Sequence, residues 1–323
     1  MTDQIKVGVI GVGKMGEYHV GVLSELREVN LTVVSDTSAD RGEIISQRYG
    51  VPYLKDYKEA LKQMDAAIIA VPTGLHYEVG KEVLNSGVHV LMEKPCADNL
   101  DHARELFDIA DQNNLILQVG HIERFNGAVQ ELHKIVDDPI YVECKRMGPF
   151  VERMKDDGVV LDIMIHDIDI LLNLIDSKVS HINVMGKSVF TDRDDLVSVQ
   201  LEFENKCIAN IVASRASQNK IRTLSVTQKD SYIILDYTDQ EIYVHRQSSS
   251  EHTLSKGSLR YKQESLIERI FVHKDNPLKL EDKHFIDCVK NGSPRKVGVN
   301  NELYSLEIAL EIVERFNKQK NIA

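Results

Sequence analysis

The sequence predicts an α/β chain, with a doubly wound parallel sheet in its N-terminal part followed by an α+β domain on a mainly antiparallel, open sheet. Three observations carry that prediction. Short β-branched runs alternate with helix-length stretches through the first third of the chain. A glycine cluster stands at the first strand-to-helix junction. Beyond Asn126 the rhythm changes to one apolar helix and then strand after strand.

The elements follow in order. Ile5 to Gly11 reads as a strand and Met15 to Leu26 as a helix. Leu31 to Asp36, Val51 to Leu54, Ala66 to Val71, His89 to Glu93 and Leu115 to Val119 are further apolar runs, each separated from the next by enough chain for a helix. Val159 to Ile175 reads as one long helix, followed by strands at His181 to Val189, Leu196 to Phe203, Cys207 to Ser214, Leu224 to Gln228, Tyr232 to Asp236 and Glu241 to Arg246. Gln247 to Ser258 is polar and serine-rich and reads as a loop, and helices around Lys283 to Lys290 and Asn301 to Lys318 close the chain. A length of 323 residues fits two domains, drawn at 1–122 and 123–323.

The bulk composition narrows the function classes. With 42% hydrophobic and 28% charged residues and no apolar run of the ~18 residues that a membrane span requires, a soluble globular protein without a membrane partner is expected. The first residues enter a strand pattern with no signal-peptide features, which points to the cytoplasm. A net charge of −11 without a local Lys/Arg cluster opposes nucleic-acid binding. Cys96, Cys144, Cys207 and Cys288 form no pair at ligand spacing, so neither a metal site nor a disulfide framework is expected.

Gly11-Val12-Gly13-Lys14-Met15-Gly16 is a G-x-G-x-x-G between strand and helix. In that context the first glycine permits a tight turn, the second lets the backbone approach a pyrophosphate, and the third allows close packing of helix on sheet. The helix N-terminus then offers free N–H groups to the phosphates. Asp36 lies 20 residues beyond Gly16, at the end of the second strand, where a carboxylate accepts hydrogen bonds from ribose hydroxyls. The chain is therefore expected to open with a Rossmann domain that binds NAD, although Arg41 nearby leaves room for a 2′-phosphate. A plain glycine turn followed by an Asp helix cap would use the same residues.

The Val159 to Ile175 helix is apolar nearly all round, which implies burial, yet Asp162, His166, Asp169 and Asn173 recur at spacings of 4, 3 and 4 along one face. Buried carboxylates need partners or a wet cleft. The stripe thus lines a pocket, with Asp162 orienting His166 as a proton acceptor, or forms a satisfied polar seam under the second sheet.

Taken together, Gly11 to Gly16, Val71-Pro72-Thr73-Gly74-Leu75-His76, Glu93-Lys94-Pro95 and Asp162-x-x-x-His166 make the chain resemble the Gfo/Idh/MocA family of oxidoreductases over its whole length. That resemblance implies that Lys94, Asp162 and His166 are the catalytic group. It implies that Glu93 and Pro95 shape the nicotinamide end of the site, with Thr73 and His76 along the cofactor. It also implies a C-terminal sheet that builds dimers or tetramers. Gly120-His121-Ile122-Glu123-Arg124-Phe125-Asn126 is similar to a segment of UDP-N-acetylglucosamine 3-dehydrogenases, in which His121, Arg124 and Asn126 would meet a diphosphate or sugar hydroxyls, or would cap the following helix.

The expected activity is NAD-dependent oxidation of a secondary sugar hydroxyl, foremost the 3-hydroxyl of a UDP-N-acetylhexosamine, with the hydroxyl proton passing to His166 or Lys94. A dehydrogenase for inositol or another free polyol, a reductase working in the opposite direction, and a non-enzymatic NAD(H) sensor remain alternatives.

Overall fold

A computed structural model describes residues 4–152, 157–247, 251–255, 258–262 and 265–320. The chain divides into two compact units, Met1–Phe125 with Asp275–Leu310, and Asn126–Lys274 with Glu311–Ala323.

In the first unit β1 (Ile5–Ile10), β2 (Val29–Ser35), β3 (Tyr53–Leu54), β4 (Ala66–Ile69), β5 (His89–Glu93) and β6 (Leu117–Gly120) form a six-stranded sheet in the order β3-β2-β1-β4-β5-β6. Every pairing in it is parallel. The crossovers are α1 (Lys14–Glu25), α2 (Ala39–Tyr49), α3 (His76–Asn85) and α4 (Leu100–Gln112). Between β3 and β4 the chain forms two 3₁₀ turns, Tyr57–Glu59 and Leu61–Gln63, in place of a crossover helix. Fully apolar strands such as β4, buried at all four positions, are what a sheet covered on both faces requires. One face packs Val83, Leu106 and Phe107. The other packs Val20, Leu23 and Ile45 together with Leu278, Phe285 and Ile286 from a helix of the C-terminal part, α7 (Pro277–Asn291).

Residues of the C-terminal part thus return to the first unit. Leu278, Phe285 and Ile286 recur at helical spacing, and their apolar stripe is buried in the first unit's core. The first unit's N-terminal stretch ends at Phe125 and the second unit begins at Asn126.

The second unit begins with α5 (Gly127–Ile135), β7 (Tyr141–Met147) and α6 (Ile165–Leu174), the last entered through a π-turn at Val160–Met164. Then follow β8 (Val179–Lys187), β9 (Leu196–Phe203), β10 (Ile208–Ser214), β11 (Ile221–Thr227), β12 (Ser231–Asp236), β13 (Glu241–Gln247), the pair β14 (Glu251–Ser255) and β15 (Ser258–Lys262), and β16 (Ser265–Ile270). The eight-stranded sheet runs β16-β13-β12-β11-β7-β10-β9-β8. Only its β7–β10 neighbours are parallel among the described residues. β7 carries too many polar residues to stand out as a strand, yet it alternates buried and half-buried positions in the middle of the sheet. The stretch read as a loop, Gln247 to Ser258, contains β14, which among the described residues pairs with β15 alone; residues 248–250, 256 and 257 lie outside the described ones. The final helix, α8 (Val299–Lys320), packs Leu306 in the first unit and, past Leu310, donates from Arg315 to the Ile182 carbonyl in the second.

Candidate active site

The carboxyl ends of β1 and β2 carry the glycine loop and Asp36. Gly11 has φ +86°, in the left-handed region, and a Cβ on Gly16 would overlap the Gly11 carbonyl oxygen, so both positions demand glycine. Gly13 is the N-cap of α1, makes no side-chain cap hydrogen bond, and has nothing within 4 Å of where its Cβ would stand. Uncapped first-turn amides beside an unobstructed glycine are what a diphosphate needs. Val12 is buried, Met15 half-buried and Lys14 exposed, its ammonium 5.7 Å from the Tyr18 ring.

Asp36 is oriented from several sides. One carboxylate oxygen accepts from the Val12 amide at 2.9 Å, the other from Ser38 at 2.8 Å with Arg41 at 3.3 Å, and Tyr53 donates to its carbonyl at 2.8 Å. A carboxylate offers about four acceptor positions, so this fixed geometry leaves capacity for hydroxyl donors.

The loops after β4 and β5 are stitched together by His76. Its Nδ1 lies 2.8 Å from the Pro95 carbonyl and its Nε2 2.9 Å from that of Val71. Burial holds its pKa below the ordinary value, so the neutral ring donates to one of the two carbonyls. Thr73 opens a 3₁₀ turn, Thr73–Leu75, and is half-buried. Glu93 ends β5 at 8% exposure, with its Oε2 accepting from the Lys94 amide at 3.2 Å; Lys94 is half-buried, and the Lys94–Pro95 peptide is cis.

The segment after β6 is largely internal. His121, Arg124 and Asn126 are buried. Arg124 donates to Glu302 at 2.6 Å, the His121 Nε2 lies 3.5 Å from the same carboxylate, and Lys296 donates to the Arg124 carbonyl at 2.8 Å. Asn126 caps α5 by accepting from the Ala128 amide at 3.0 Å, and its Nδ2 donates to the Tyr237 carbonyl at 3.0 Å. Helix capping, one of the two roles its position suggested, is thus a role it fills.

In the second unit Asp162 sits in the π-turn and His166 in the first turn of α6, both half-buried. A π-turn inside a helix is rare and often marks a functional position. Two buried charge networks hold this helix. At its start Asp194 accepts from the Val160 amide at 2.8 Å, while Asp195 accepts from Val189, Phe190 and Thr191 and from the Arg215 Nε at 2.7 Å. Burial raises the Asp195 pKa, but the amides of Thr191, Val189 and Phe190 and the Thr191 hydroxyl outweigh it and bring the group down to about 2. Beside His166, Asp167 accepts bidentately from Arg146, at 2.9 Å from Nε and 2.8 Å from Nη2, with the guanidinium 4.7 Å from the Tyr237 ring. Further along the stripe, Asn173 donates to the Asp169 carbonyl at 2.7 Å.

Sequence reasoning missed these supporting residues, and several had legible signals. Arg146 alternates with the buried Val142 and Cys144 on β7, which is a demand for a buried acid. His19 follows Gly16 at i+3 on the face of α1 that also carries Val20 and Leu23. Glu281 and Asp282 lie between Leu278 and Phe285 on the apolar face of α7.

Comparisons with known proteins identify the family. Residues 5–121 match the family described as GFO_IDH_MocA, oxidoreductase family, NAD-binding Rossmann fold, and residues 124–233 match the GFO/IDH/MocA C-terminal domain. The chain is similar to the UDP-N-acetylglucosamine 3-dehydrogenase of Acidithiobacillus ferrooxidans, at 29% identity over 76% of this chain and 78% of that one. A solved structure of that enzyme superposes with a TM-score of 0.86 at 26% identity, covering 97% of this chain and 99% of the other. The scyllo-inositol 2-dehydrogenase (NAD(+)) of Bacillus subtilis is 24% identical over 98% of this chain and 95% of its own. No helix among the described residues is long and apolar enough to cross a membrane. With both domain types matched in order on a parallel six-stranded sheet and a mostly antiparallel one, the chain belongs to the GFO/IDH/MocA family of NAD-binding oxidoreductases.

Proposed function

We propose that the chain oxidises a secondary hydroxyl of a sugar with NAD, the specific substrate being the 3-hydroxyl of a UDP-N-acetylhexosamine. The observation that carries this reading is the likeness to a UDP-N-acetylglucosamine 3-dehydrogenase, in sequence over three quarters of both chains and in fold over nearly all of them. NAD, when bound, accepts the hydride. We assign its diphosphate to Gly11, Val12, Gly13, Lys14, Met15 and Gly16 and its ribose to Asp36, in keeping with the uncapped helix start and the oriented carboxylate. Thr73, His76, Glu93 and Pro95 are assigned to the nicotinamide side, with His76 acting by holding two loops at one spacing.

Lys94, Asp162 and His166 are the proposed catalytic residues. His166 or Lys94 takes the hydroxyl proton, and Asp162 orients the imidazole and supports its charge; such assistance is worth about 10² to 10⁴ in rate. His121, Arg124 and Asn126, together with Asp162 and His166, are assigned to the substrate side. The Arg124–Glu302 pair supports this by fixing the segment that follows β6. A cytoplasmic setting suits four free cysteines, all buried. Assembly through the C-terminal sheet suits exposed Met185, Tyr232, Leu266 and Ile267 on its strands.

A second reading, a free inositol or polyol dehydrogenase, is favoured by the nearly full-length similarity to the scyllo-inositol enzyme. A sensor would not need Lys94, Asp162 and His166 together, and the chain carries all three. NADH absorbance after adding NAD and either UDP-N-acetylglucosamine, UDP-N-acetylgalactosamine, myo-inositol or scyllo-inositol separates these readings. Turnover with the UDP-sugars alone is expected, and turnover with the inositols alone would replace the proposed substrate.

A further inference from the structure

We propose that His19 is a positioning residue of this oxidoreductase: gripped between Asp282 and Glu93, it fixes the Glu93 carboxylate and through it the Glu93–Lys94–Pro95 turn. The inference rests on the reading above, in which that turn meets the nicotinamide end of the cofactor.

The geometry is that of a doubly donating ring. His19 is fully buried, its Nδ1 lies 2.8 Å from Asp282 Oδ1, and its Nε2 lies 3.0 Å from Glu93 Oε1. Burial pushes the Asp282 carboxyl up while His19 pulls it down; with both acids ionised neither has a proton to give, so both hydrogen bonds are donated by the imidazole, which is then an imidazolium. The second Glu93 oxygen accepts from the Lys94 amide, so one carboxylate is held at both ends, by α1 and by the turn it precedes.

The groups that face this cluster are His19 on α1, Glu93 and Lys94 at the end of β5, Glu281 and Asp282 on α7, and Arg124 after β6. Burial penalises charge on the ring, yet Asp282 and Glu93 push its pKa well above the ordinary value. Glu281 is fully buried, and neither of its carboxyl oxygens has a hydrogen-bond partner among the described residues. Burial pushes it well above the usual carboxylate range, so it stands over the cluster as a neutral acid.

The candidate ligand atoms of His19, Glu281 and Asp282 lie within 4.8 Å of one another, a spacing that a cation could use. Both ring nitrogens are already committed to carboxylates at hydrogen-bond distance, which favours a stored proton over a metal. A carboxylate fixed before the cofactor arrives needs no reordering when it binds, which is the advantage of a supported site.

The test has two arms on the full chain. In the first, imidazole nitrogen NMR of the wild-type protein follows the rings from pH ~6 to ~9, above the ordinary histidine range. One ring should stay doubly protonated and disappear from the spectrum of His19→Gln; if no ring does so, the clamp is wrong. In the second, dissociation constants are compared for NADH and for ADP-ribose, which lacks the nicotinamide.

His19→Gln should weaken NADH by about tenfold and ADP-ribose by less than about twofold, the scale expected when support for a site residue is removed. Equal weakening of both ligands, or of neither, overturns the proposal. Should His19→Gln not fold, Asp282→Asn takes its place and the wild-type spectrum still decides. If wild-type protein binds NADH no better than ADP-ribose, the reading of the turn as the nicotinamide site fails instead. Stoichiometric metal in the purified protein that is lost in Glu281→Gln would replace the proton by a cation.

Discussion

Arg146→Met isolates the buried ion pair that steadies the His166 helix. Asp167 is fully buried and accepts two hydrogen bonds from Arg146, itself almost fully buried, so the substitution leaves a carboxylate with neither water nor its cation. Removing one partner of a buried pair costs about 3–5 kcal/mol, equivalent to roughly two to three and a half powers of ten in the folded-to-unfolded ratio of the second unit. The stacking of the guanidinium on the Tyr237 ring adds lost packing. Urea unfolding followed by a probe in the second unit reads the loss, and Arg146→Met with Asp167→Leu should recover most of it, since a well-packed apolar replacement leaves no charge stranded. A loss below about 1 kcal/mol for Arg146→Met, or no recovery in the double variant, would refute the argument.

Lys94→Met and His166→Ala should each lower turnover by about 10² to 10⁴ while NAD still raises the melting temperature, as thermal shift and steady-state kinetics would record. Asp195, held at about 2 in the folded chain against about 3.9 unfolded, contributes stability that is complete above pH ~5 and lost as pH falls through ~2, about 2.6 kcal/mol in all. Acid unfolding of Asp195→Asn should accordingly be flatter in that window. Phe285→Ala removes a fully buried ring from the first unit's core and should cost about 3–5 kcal/mol there; amide exchange in β1 and β4 unaffected by the change would contradict the packing.

Much of this was legible in the residues. The apolar runs of β1, β4 and β5 and the glycines between β1 and α1 fixed the parallel sheet, because strands buried on both faces and a turn with φ of +86° leave few alternatives. The Asp162–His166 spacing marked a helix with polar groups, although the π-turn at its start left no mark in the periodicity. Less legible were features created by distant chain. Nothing local to Asp282 names His19, 263 residues earlier, as its partner, even though the acid sits beside Glu281 on an apolar helix face. β7 was missed because Glu143, Lys145 and Arg146 dilute its apolar content; once the strand is assigned, Arg146 shares the buried positions with Val142 and Cys144. Arg124 and Asn126 drew attention through the resemblance of the Gly120–Asn126 segment, whereas their partners Glu302 and the Tyr237 carbonyl are supplied by the fold.

The most direct measurement uses UDP-N-acetylglucosamine carrying deuterium at carbon 3, mixed with NAD and the wild-type chain and followed by mass analysis of the reduced cofactor. The account predicts one deuterium in the NADH formed and a slower hydride step than with the unlabelled sugar. NADH formed without label, or no reduction by the UDP-sugar while an inositol is oxidised, would contradict it.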